Sequence, residues 1–349
     1  MRTVRVDDSG RVVLIASFLE PEYVEQIRRV GGVRVIYEPA LLPRPRYLCD
    51  HVGHALQRTL DKERLWRRHL ADAEVLFDFD HTNATTLKDL VPNARWIQGT
   101  STGIGQFVLR TGLIHTPITF TTARGIHAKP LADFVVMAIL WFAKDGPRMI
   151  SGQTTRRWER YCGRDVRGAT VGIIGLGTIG REVARICRAM GMRVTATKRS
   201  VSPGTREPDL DALMPLADLH GLLAETDYLI LAVPHTPETE GLIGRRELDA
   251  LRSGAVLINV ARGVIVDETA LIESLRSGHL GGAALDVFAK EPPAQDNPLW
   301  SMPNVLVGPH SASTVETENA QLTALFCDNL KRYLTGRPLV NVLDKERLY

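Results

Sequence analysis

The amino-acid sequence predicts an α/β protein with two doubly wound parallel sheets. Its 349 residues exceed what one simple core requires and are enough for two domains of ordinary size. Short apolar runs alternate with helix-forming segments along most of the chain, which is typical of parallel strands joined by crossover helices. A glycine-rich segment at residues 175–180 separates one of these runs from the helix-forming segment that follows it.

The N-terminal part of the chain shows the less regular of two alternations. An apolar run, a helical pattern led by Pro21 and a second apolar run form a β-α-β start. A polar stretch at residues 43–68, which carries several Arg and His residues, is predicted to be a loop followed by a helix, and another helix is expected near residues 86–90. The predicted strands are residues 12–16, 33–37, 74–77 and 96–98.

The second alternation is more regular and follows an apolar helix at residues 128–142 and a predicted connector at residues 152–166. Helix-forming patterns separate most of its strands, so a parallel sheet with helices on both faces is expected. The last segment, residues 314–334, is predicted to be helical. The predicted strands are residues 170–174, 193–197, 228–233, 255–260, 282–285 and 305–307.

The bulk composition is that of a globular protein. Apolar residues make up 44% of the chain and charged residues 24%, with a formal net charge of only +3, which does not suggest a nucleic-acid partner. The four cysteines lie far apart without a CxxC pair, so no zinc site is expected. The N-terminus leads into Asp7 and Asp8 rather than an apolar run, and the longest apolar stretch is too short to span a membrane. We therefore expect a cytoplasmic protein.

The glycine-rich segment has the context of a dinucleotide-binding turn. It reads Gly175-Leu176-Gly177-Thr178-Ile179-Gly180 and stands between a predicted strand and a predicted helix. The first glycine permits a tight turn, the second lets the backbone approach a pyrophosphate, and the third lets helix and strand pack closely. The start of the helix then offers free N–H groups and partial positive charge to the phosphates. An ordinary tight turn is the alternative, but the strand and helix on either side favour dinucleotide binding.

The end of the next strand bears on the choice of cofactor. An acidic side chain normally binds the ribose 2′-hydroxyl of NAD at this position, about twenty residues after the glycines. Here the strand ends in Lys198, Arg199 and Ser200, and no carboxylate is available. Cations and a hydroxyl suit a 2′-phosphate, so the sequence favours NADP over NAD. The alternative is that these residues are merely solvated loop cations.

Polar residues follow several later strands at the edge where the glycine turn emerges. Arg262 follows one predicted strand, Asp286 ends the next with Glu291 soon after it, and His310 follows the last. Any one of them alone would more often have a structural role. Ligands of open parallel sheets bind beyond the carboxyl ends of the strands, so their arrival together predicts an active site.

The chemistry of 2-oxo acid reduction suggests a role for each of these residues. The planar guanidinium of Arg262 suits the carboxylate and carbonyl of such an acid and would stabilise a developing alkoxide. His310 is the natural proton donor for the new hydroxyl, and Glu291 is the carboxylate expected to orient it. Asp286 is placed to accept a hydrogen bond from a nicotinamide carboxamide. These assignments are hypotheses at this stage.

At these residues the chain resembles the D-isomer-specific 2-hydroxyacid dehydrogenase family. The family's catalytic arginine, glutamate and histidine correspond to Arg262, Glu291 and His310, and its cofactor-binding aspartate corresponds to Asp286. The resemblance extends over about residues 125–313. The matching segments are residues 172–180 (GIIGLGTIG), 233–239 (VPHTPET), 258–268 (INVARGVIVDE), 285–292 (LDVFAKEP) and 303–310 (PNVLVGPH).

The resemblance implies a discontinuous architecture of two Rossmann-like or flavodoxin-like domains. The cofactor domain, residues 126–313, would be inserted into a substrate domain formed by residues 1–125 and 314–349. The loop at residues 101–105 would bind the substrate carboxylate through its backbone N–H groups. A homodimer through the cofactor domain is implied as well. The resemblance assigns substrate binding to Thr102, Gly103, Ile104, Arg262 and His310, and cofactor binding to the glycine segment, Val233, Pro234, Val260, Ala261, Asp286 and His310. Lys198, Arg199 and Ser200 are predicted to bind the cofactor from their charge and position, and Lys198 departs from the acidic residue of the NAD-using members.

Two other functions remain open on the sequence alone. One alternative is a sister enzyme on the same scaffold. Formate oxidation would not need the acid-base pair of Glu291 and His310, so Glu291 favours hydroxy acids over formate. Phosphite oxidation is not excluded by the sequence. A dinucleotide-sensing corepressor is the alternative from another class, and it would bind dinucleotide without turning over oxo acids. The sequence identifies neither the physiological acid nor the direction of the reaction.

Overall fold

The computed structural model describes residues 10–199, 201–202 and 205–349. The chain divides into two compact units. Unit 1 comprises Met1–His127 and Thr314–Tyr349, and unit 2 comprises Ala128–Ser313. Unit 1 is therefore assembled from both ends of the chain, whereas unit 2 is continuous in sequence.

The strands of both units are short and pair only in parallel in the described parts of the two sheets. In chain order they are β1 (Val12–Ile15), β2 (Arg34–Ile36), β3 (Val75–Phe77), β4 (Trp96–Gln98), β5 (Thr119–Thr121), β6 (Thr170–Ile174), β7 (Arg193–Lys198), β8 (Ala212–Pro215), β9 (Tyr228–Leu231), β10 (Ala255–Asn259), β11 (Leu280–Leu285) and β12 (Val305–Val307).

Helices of very different length connect the strands. They are α1 (Pro21–Arg28), α2 (Leu60–Asp72), α3 (Leu87–Leu90), α4 (Gly105–Arg110), α5 (Ala128–Ala143), α6 (Gly146–Thr155), α7 (Thr178–Ala189), α8 (Leu219–Leu223), α9 (Arg245–Asp249), α10 (Glu268–Arg276) and α11 (Glu318–Leu334). Single 3₁₀ turns lie at Pro39–Leu41, His81–Asn83, Leu113–His115, Leu216–Asp218, Gly263–Ile265 and Pro298–Trp300.

The described strands of unit 1 form one sheet in the order β2-β1-β3-β4-β5. This is the order of the flavodoxin-like doubly wound sheet. Because neighbouring strands are parallel, the residues that follow β3 and β4 emerge side by side at one edge. The loop predicted to bind a substrate carboxylate follows β4 and so lies at this edge.

Both faces of the unit 1 sheet are covered by helices. Leu14 and Leu76 point into a core shared with Trp66 of α2, whereas the opposite face packs against α11. There the rings of Trp96 and Phe326 stack with their centroids 5.0 Å apart. This contact confirms the expectation that the C-terminal helix returns to pack with the N-terminal part of the chain.

The described strands of unit 2 form a second sheet in the order β12-β11-β10-β9-β6-β7-β8. Counted within the unit, the first six strands have the 3-2-1-4-5-6 order of dinucleotide-binding sheets, and β12 extends it by one. The order reverses between β6 and β9, which places the switch point beside the glycine turn of residues 175–180. The prediction of two doubly wound α/β sheets is confirmed.

Apolar side chains fill the space on both faces of the unit 2 sheet. Helices α5 and α7 pack against each other and over Val171 and Ile173. Small residues such as Ala132 and Ala138, both fully buried, let α5 approach its neighbours closely. Leu229 and the other face of the sheet are covered by α8, α9 and α10.

Several predicted boundaries were wrong for physical reasons. The predicted connector at residues 152–166 begins inside α6, whose first turn is capped because the Asp145 side chain accepts the N–H of Arg148. The last helix begins at Glu318 rather than at residue 314, because a turn, with the Glu318 N–H donated to the Val315 carbonyl, precedes it. The predicted strands at residues 228–233 and 255–260 end earlier, at Leu231 and Asn259. The short strands β5 and β8 were not predicted.

The polar stretch at residues 43–68 is a loop followed by α2, as predicted. None of the described helices combines the length and apolar character needed to cross a membrane.

Candidate active site

A glycine turn, residues 175–180, joins β6 to α7 in unit 2. Gly175 has a φ of +100°, and a Cβ there would lie 2.6 Å from the carbonyl oxygen of Ala232. A Cβ on Gly180 would overlap the carbonyl oxygen of Gly175. Side chains are therefore excluded both at the turn itself and where α7 packs against it.

The middle glycine faces open space instead. Outside its chain neighbours and its own helix, no described atom lies within 4 Å of a Cβ built on Gly177, the N-cap of α7. The first-turn N–H groups of this helix, at Thr178 and Ile179, carry its partial positive charge. The open glycine and the helix start form a cradle that fits a dinucleotide pyrophosphate.

Apolar residues from two neighbouring loops border the glycine turn. Val233 and Pro234 follow Ala232 in the loop after β9, and a Cβ on Gly175 would lie 2.7 Å from Cγ1 of Val233. Val260 and Ala261 directly follow β10 and are buried. These predicted cofactor contacts thus emerge at the same carboxyl edge as the glycine turn.

The end of β7 carries two of the three residues predicted to bind a 2′-phosphate. Lys198 and Arg199 are both exposed, and Ser200 lies outside the described residues. Two carboxylates, those of Glu207 and Glu238, interact with these cations and were not identified from the sequence. Glu207 accepts a hydrogen bond of 2.8 Å from Nη2 of Arg181 in the first turns of α7.

These carboxylates interact electrostatically with the cations at the end of β7. The hydrogen bond from Arg181 holds the pKa of Glu207 below its usual value, and the charge of Lys198 acts in the same direction. Arg199 likewise contributes to the lowered pKa of Glu238, whose main cause is a hydrogen bond within the Thr236 turn. The two carboxylates therefore offset part of the positive charge at the end of β7.

Arg262 extends from the end of β10 on a backbone held by Asn259. The Asn259 side chain accepts the N–H of Ala261 at 3.0 Å and donates to the carbonyl oxygen of Arg262, also at 3.0 Å. Nη1 of Arg262 donates to the carbonyl of Ala261 at 2.7 Å, which directs the guanidinium. A Cβ on Gly263 would overlap the backbone of Phe288, so the Arg262 loop packs directly against the loop that follows β11.

His310 and Glu291 are in direct contact, as predicted. His310 Nδ1 lies 2.6 Å from Oε2 of Glu291. The other carboxylate oxygen, Oε1, accepts the N–H of Phe288 at 3.0 Å, which fixes the carboxylate plane. His310 has a φ of 55°. This left-handed backbone conformation is uncommon for residues other than glycine, and residues that adopt it cluster at functional sites.

The charges of this group perturb one another. Burial alone would raise the pKa of Glu291, but the hydrogen bonds from His310 and the Phe288 N–H, with the charges of His310 and Arg262, hold that pKa below its usual value. Burial lowers the pKa of Arg262, and the charge of Glu291 opposes this effect. Arg262, Glu291 and His310 therefore form one electrostatic cluster.

Asp286 anchors the loop that carries His310. Its two carboxylate oxygens each accept a backbone N–H, from Ser311 and from Ala312, both at 3.0 Å. The N–H of His310 donates to the carbonyl of Asp286 at 2.8 Å. Burial raises the pKa of Asp286 despite these hydrogen bonds. The predicted contact with a nicotinamide carboxamide stays a prediction, and each oxygen retains a second lone pair for it.

The predicted substrate-binding residues Thr102, Gly103 and Ile104 belong to unit 1. Thr102 and Gly103 are at the surface of the loop after β4, whereas Ile104 is buried beneath it. The N–H of Gly103 makes a long hydrogen bond of 3.3 Å to Oγ of Ser101. The loop has a fixed base because a Cβ on Gly105 would overlap the Leu348 carbonyl oxygen.

Two contributors to the unit 2 cluster were not identified from the sequence. Asn259 was quoted only as part of a matching segment, although an amide at the end of an otherwise apolar strand is a detectable signal. The N–H of Phe288 carries no signal in the sequence at all. Both act by orienting Arg262 or Glu291.

The described residues contain no group of three or more His, Cys, Asp or Glu side chains placed to hold a metal ion. All four cysteines are free, and burial raises the pKa of the Cys187 thiol to about 12. This thiol stays protonated at neutral pH.

Comparison with known proteins agrees with the geometry. Residues 136–312 match the family model of the D-isomer specific 2-hydroxyacid dehydrogenase NAD binding domain. The chain is 35% identical over 229 residues to D-3-phosphoglycerate dehydrogenase of Archaeoglobus fulgidus, covering 65% of this chain and 43% of that protein. It is 34% identical over 252 residues to glyoxylate reductase of Thermococcus gammatolerans, covering 67% of this chain and 74% of that protein.

A solved structure extends the similarity to nearly the whole chain. It is a D-isomer specific 2-hydroxyacid dehydrogenase from Xanthobacter autotrophicus Py2 in complex with NADPH and MES, with 28% sequence identity. The TM-score is 0.77, and the match covers 97% of this chain and 99% of that one. The chain therefore belongs to the D-isomer-specific 2-hydroxyacid dehydrogenase family and is an NAD(P)-dependent oxidoreductase of 2-hydroxy acids and their 2-oxo counterparts.

Proposed function

We propose that the chain reduces small 2-oxo acids to 2-hydroxy acids with NADPH as the preferred donor, using Arg262, Glu291 and His310. The observation that supports this most strongly is the 2.6 Å contact between His310 Nδ1 and Glu291 Oε2. The charge of Arg262 acts on the same carboxylate. A histidine, its orienting carboxylate and an arginine are the groups that this reduction requires.

His310 is the proposed proton donor. Its Nδ1 is engaged by Glu291, so Nε2 is the ring nitrogen that remains for the substrate. An imidazolium that donates Nδ1–H to the carboxylate holds its second proton at Nε2, ready for transfer to the carbonyl oxygen. The bound nicotinamide supplies the hydride for the carbonyl carbon.

Arg262 is the proposed group that binds the carboxylate and carbonyl of the acid. Because one guanidinium nitrogen donates to the Ala261 carbonyl, the side chain has a fixed direction before substrate arrives. Its remaining N–H groups can hold two oxygens at once and stabilise the alkoxide as it develops. The loop of unit 1 that contains Thr102, Gly103 and Ile104 is proposed to bind a substrate carboxylate through its backbone N–H groups.

The preference for NADP rests on Lys198 and Arg199. Both side chains are exposed at the end of β7, where a 2′-phosphate is expected, and cations there favour it over a plain hydroxyl. Glu207 and Glu238 weaken this field without occupying the end of the strand. A moderate rather than absolute preference for NADPH is therefore proposed.

A homodimer through unit 2 is proposed as the assembly. Several large apolar side chains are exposed on α5, α6 and the segment that follows them, and the Trp158 side chain is 97% exposed. Exposed apolar side chains on consecutive elements favour a protein–protein interface, and a second copy is the partner that the family implies. The residues are Met137, Leu140, Met149, Ile150 and Trp158. The cytoplasmic location stays a prediction.

Replacements of His310 and Arg262 test the proposed roles. His310→Ala is expected to lower kcat with glyoxylate about 10²–10⁴-fold, because the proton donor is lost. Arg262→Ala is expected to cost on the order of 10²–10³-fold. His220→Gln is the matched control, since His220 Nε2 lies 3.4 Å from Glu247 in a His–Glu pair elsewhere in unit 2. Near-normal turnover of either active-site variant would refute its role.

Dinucleotide titration tests the cofactor preference independently of turnover. Lys198→Ala is expected to raise the Kd for NADPH on the order of tenfold and to leave the Kd for NADH nearly unchanged. Glu207→Gln is expected to lower the Kd for NADPH, because it removes a negative charge near Lys198. Arg185→Ala, which removes an exposed cation from α7, is the control. Equal or tighter binding of NADH by the unmodified protein would contradict the preference.

A further inference from the structure

Three side chains in unit 1 form a hydrogen-bonded chain that ends at the loop after β4. His127 Nε2 lies 3.0 Å from Oε1 of Glu318, and His127 Nδ1 lies 3.2 Å from Oγ1 of Thr102. His127 is only 8% exposed and Glu318 only 7%. The chain therefore leads from the buried start of α11 to the surface loop that contains Thr102.

The direction of these hydrogen bonds follows from the acceptor. An ionised Glu318 only accepts, so a neutral His127 must donate its Nε2–H to it. Nδ1 is then the unprotonated nitrogen and accepts the hydroxyl hydrogen of Thr102. Glu318 thus fixes the tautomer and the ring orientation of His127, and His127 fixes the hydroxyl of Thr102.

A purely structural role explains Glu318 poorly. Its second oxygen, Oε2, is buried and makes no hydrogen bond among the described residues. A buried carboxylate with incomplete partners is costly, and an apolar side chain of similar volume is often as stable or more stable at such a position. The positions of Glu318 and His127 are therefore better explained by the side chain of Thr102, which they hold in place.

The location of the chain is also specific. His127 is the last residue of the first segment of unit 1, and Glu318 follows shortly after the chain returns to unit 1 at Thr314. Neighbouring contacts fix the start of α11 within unit 1. Asn319 donates to Glu20 at 2.8 Å, and Cys49 Sγ donates to the Val315 carbonyl at 3.4 Å. The hydrogen-bonded side chains therefore lie next to the ends of both segments that form unit 1.

We propose that Glu318 and His127 are positioning residues that hold Thr102, and with it the loop of residues 101–105, in the conformation that binds the substrate carboxylate. This inference rests on the proposed function of that loop. Neither residue needs to touch the substrate, because each acts through its neighbour. Weakening these hydrogen bonds should lower the affinity for the acid. It should leave dinucleotide binding, which is proposed for unit 2, unchanged.

The test uses replacements that break the chain and replacements that restore it. Glu318→Met and Thr102→Val keep the side-chain volume and remove an acceptor or a hydroxyl, whereas Glu318→Gln and Thr102→Ser keep those groups. The first two are expected to raise KM for glyoxylate roughly 5- to 20-fold with kcat changed less than about twofold. The second two are expected to raise KM less than the first two, because the acceptor and the hydroxyl are retained.

Two matched controls lie in the same unit. Thr323→Val removes a fully buried hydroxyl from α11, and His69→Gln disturbs a His–Glu pair in which Nε2 lies 2.8 Å from Glu38. Both should leave KM for glyoxylate unchanged. Melting temperature and the Kd for NADPH are measured for every variant, since a structural defect would move them together with KM.

A second measurement does not depend on turnover. Hydrogen exchange of the peptide that covers residues 99–105 should become faster in Glu318→Met and Thr102→Val and stay unchanged in the controls. Unchanged KM and unchanged exchange in both broken-chain variants would overturn the proposal. A parallel loss of melting temperature, kcat and NADPH affinity would overturn it as well. If the unmodified protein reduces no oxo acid, the proposed function fails, and the exchange measurement alone still decides whether the chain positions the loop.

Discussion

At the scale of single residues, the pair of Glu291 and His310 is built for geometry rather than for stability. The side chains of His310 and Glu291 are 43% and 36% exposed, and an ion pair with this exposure contributes only about 0–1 kcal/mol. The N–H of Phe288 nevertheless fixes one carboxylate oxygen, and Asp286 anchors the loop on the other side. The hydrogen bonds thus orient the two side chains, which is what proton transfer requires.

Replacement of Glu291 should change the pH dependence of the reaction. The pKa of Glu291 is held below its ordinary value of 4.5, so the carboxylate stays ionised as the pH falls from 7 to about that value. The contact with His310 is therefore present over this whole range and is lost only as the pH falls through the lowered pKa. We therefore expect kcat/KM of the unmodified protein to hold down to about pH 5, and Glu291→Gln to lower it throughout by on the order of 10²-fold.

The pH–rate profile from pH 4.5 to 8 with saturating NADPH is the measurement. Glu247→Gln, which removes the carboxylate of the exposed His220 pair, serves as the control. A Glu291→Gln profile that coincides with that of the unmodified protein would show that the carboxylate does not orient His310.

Candidate site residues can be proposed from the sequence where they stand at strand ends. Arg262 and His310 directly follow short apolar runs, so the rule for parallel sheets places them at one edge. Residues that act through others are harder to predict. His127 and Glu318 are 191 positions apart, and neither lies in a recognisable pattern, so only the folded structure brings them together. Asn259 lies between these cases, as a polar residue that ends a strand.

At the scale of elements, two loops depend on a glycine. The loops after β10 and β11 carry Arg262 and Glu291, and they pack at Gly263, where a Cβ would overlap the backbone of Phe288. Gly263→Ala should push these loops apart and displace Arg262 and the N–H that holds Glu291. We expect kcat/KM to fall at least about 10²-fold, because misplacement on the order of 1 Å has that effect.

Gly221→Ala is the matched control for Gly263→Ala. Gly221 lies in α8, and no described atom is within 4 Å of a Cβ built there beyond its neighbours and its own helix. This replacement should leave activity unchanged and slightly raise the melting temperature. Equal effects of the two replacements on kcat/KM would contradict the packing argument.

The polar loop before α2 is fixed by one carboxylate. Asp50 is buried and accepts hydrogen bonds from the Arg46 side chain at 2.7 and 3.0 Å and from backbone N–H groups, including that of Gly53 at 3.1 Å. These bonds outweigh the effect of burial and hold the pKa of Asp50 far below its ordinary value of 3.8. Asp50→Asn should therefore cost about 2 kcal/mol of unfolding free energy at pH 7.

The sign of the pH dependence follows from the lowered pKa. The stabilisation by Asp50 is fully present above pH 3.8 and is lost as the pH falls below it towards the folded-state pKa. The difference in melting temperature between the unmodified protein and Asp50→Asn should shrink as the pH is lowered from 7 to 3. Asp61→Asn, at an exposed position in α2, is the control. A difference that grows on acidification would contradict this account.

Element boundaries were predicted well where an apolar run has clear ends. The strands Thr170–Ile174, Trp96–Gln98 and Val305–Val307 match the prediction in full because polar residues or turn-forming glycine and proline flank them. The end of α6, residues 152–155, was assigned to a connector because its sequence is polar. The edge strand β8 contains a proline and no pattern of its own, so pairing with β7 determines it.

At the scale of the whole molecule, each unit carries some of the residues proposed to function. The described part of unit 2 holds the glycine turn and the cluster of Arg262, Glu291 and His310, whereas unit 1 holds the loop of residues 101–105. The division is readable from the sequence only in part, because unit 1 is assembled from both ends of the chain. The family resemblance, and not the periodicity of the sequence, implied that arrangement.

The exposed apolar side chains of unit 2 predict the effect of one surface replacement on assembly. Trp158→Ser should weaken a homodimer, because tryptophan is among the side chains that contribute most at interfaces, on the order of 2 kcal/mol or more. Sedimentation or light scattering over a range of concentrations measures the shift towards monomer. Leu60→Ser, at a position in unit 1 that is 78% exposed, should have no effect. A protein that is monomeric before any replacement would contradict the proposed dimer.

The most direct test of the central claim is the initial rate of NADPH and NADH oxidation with glyoxylate, hydroxypyruvate, pyruvate and phenylpyruvate. We expect turnover of at least one of these acids, at a higher rate with NADPH than with NADH. Replacement of His310 or Arg262 should remove this turnover. Dinucleotide binding without turnover of any of them would contradict the proposed reaction. Phosphite-dependent reduction of the dinucleotide would then identify a different reaction on the same scaffold.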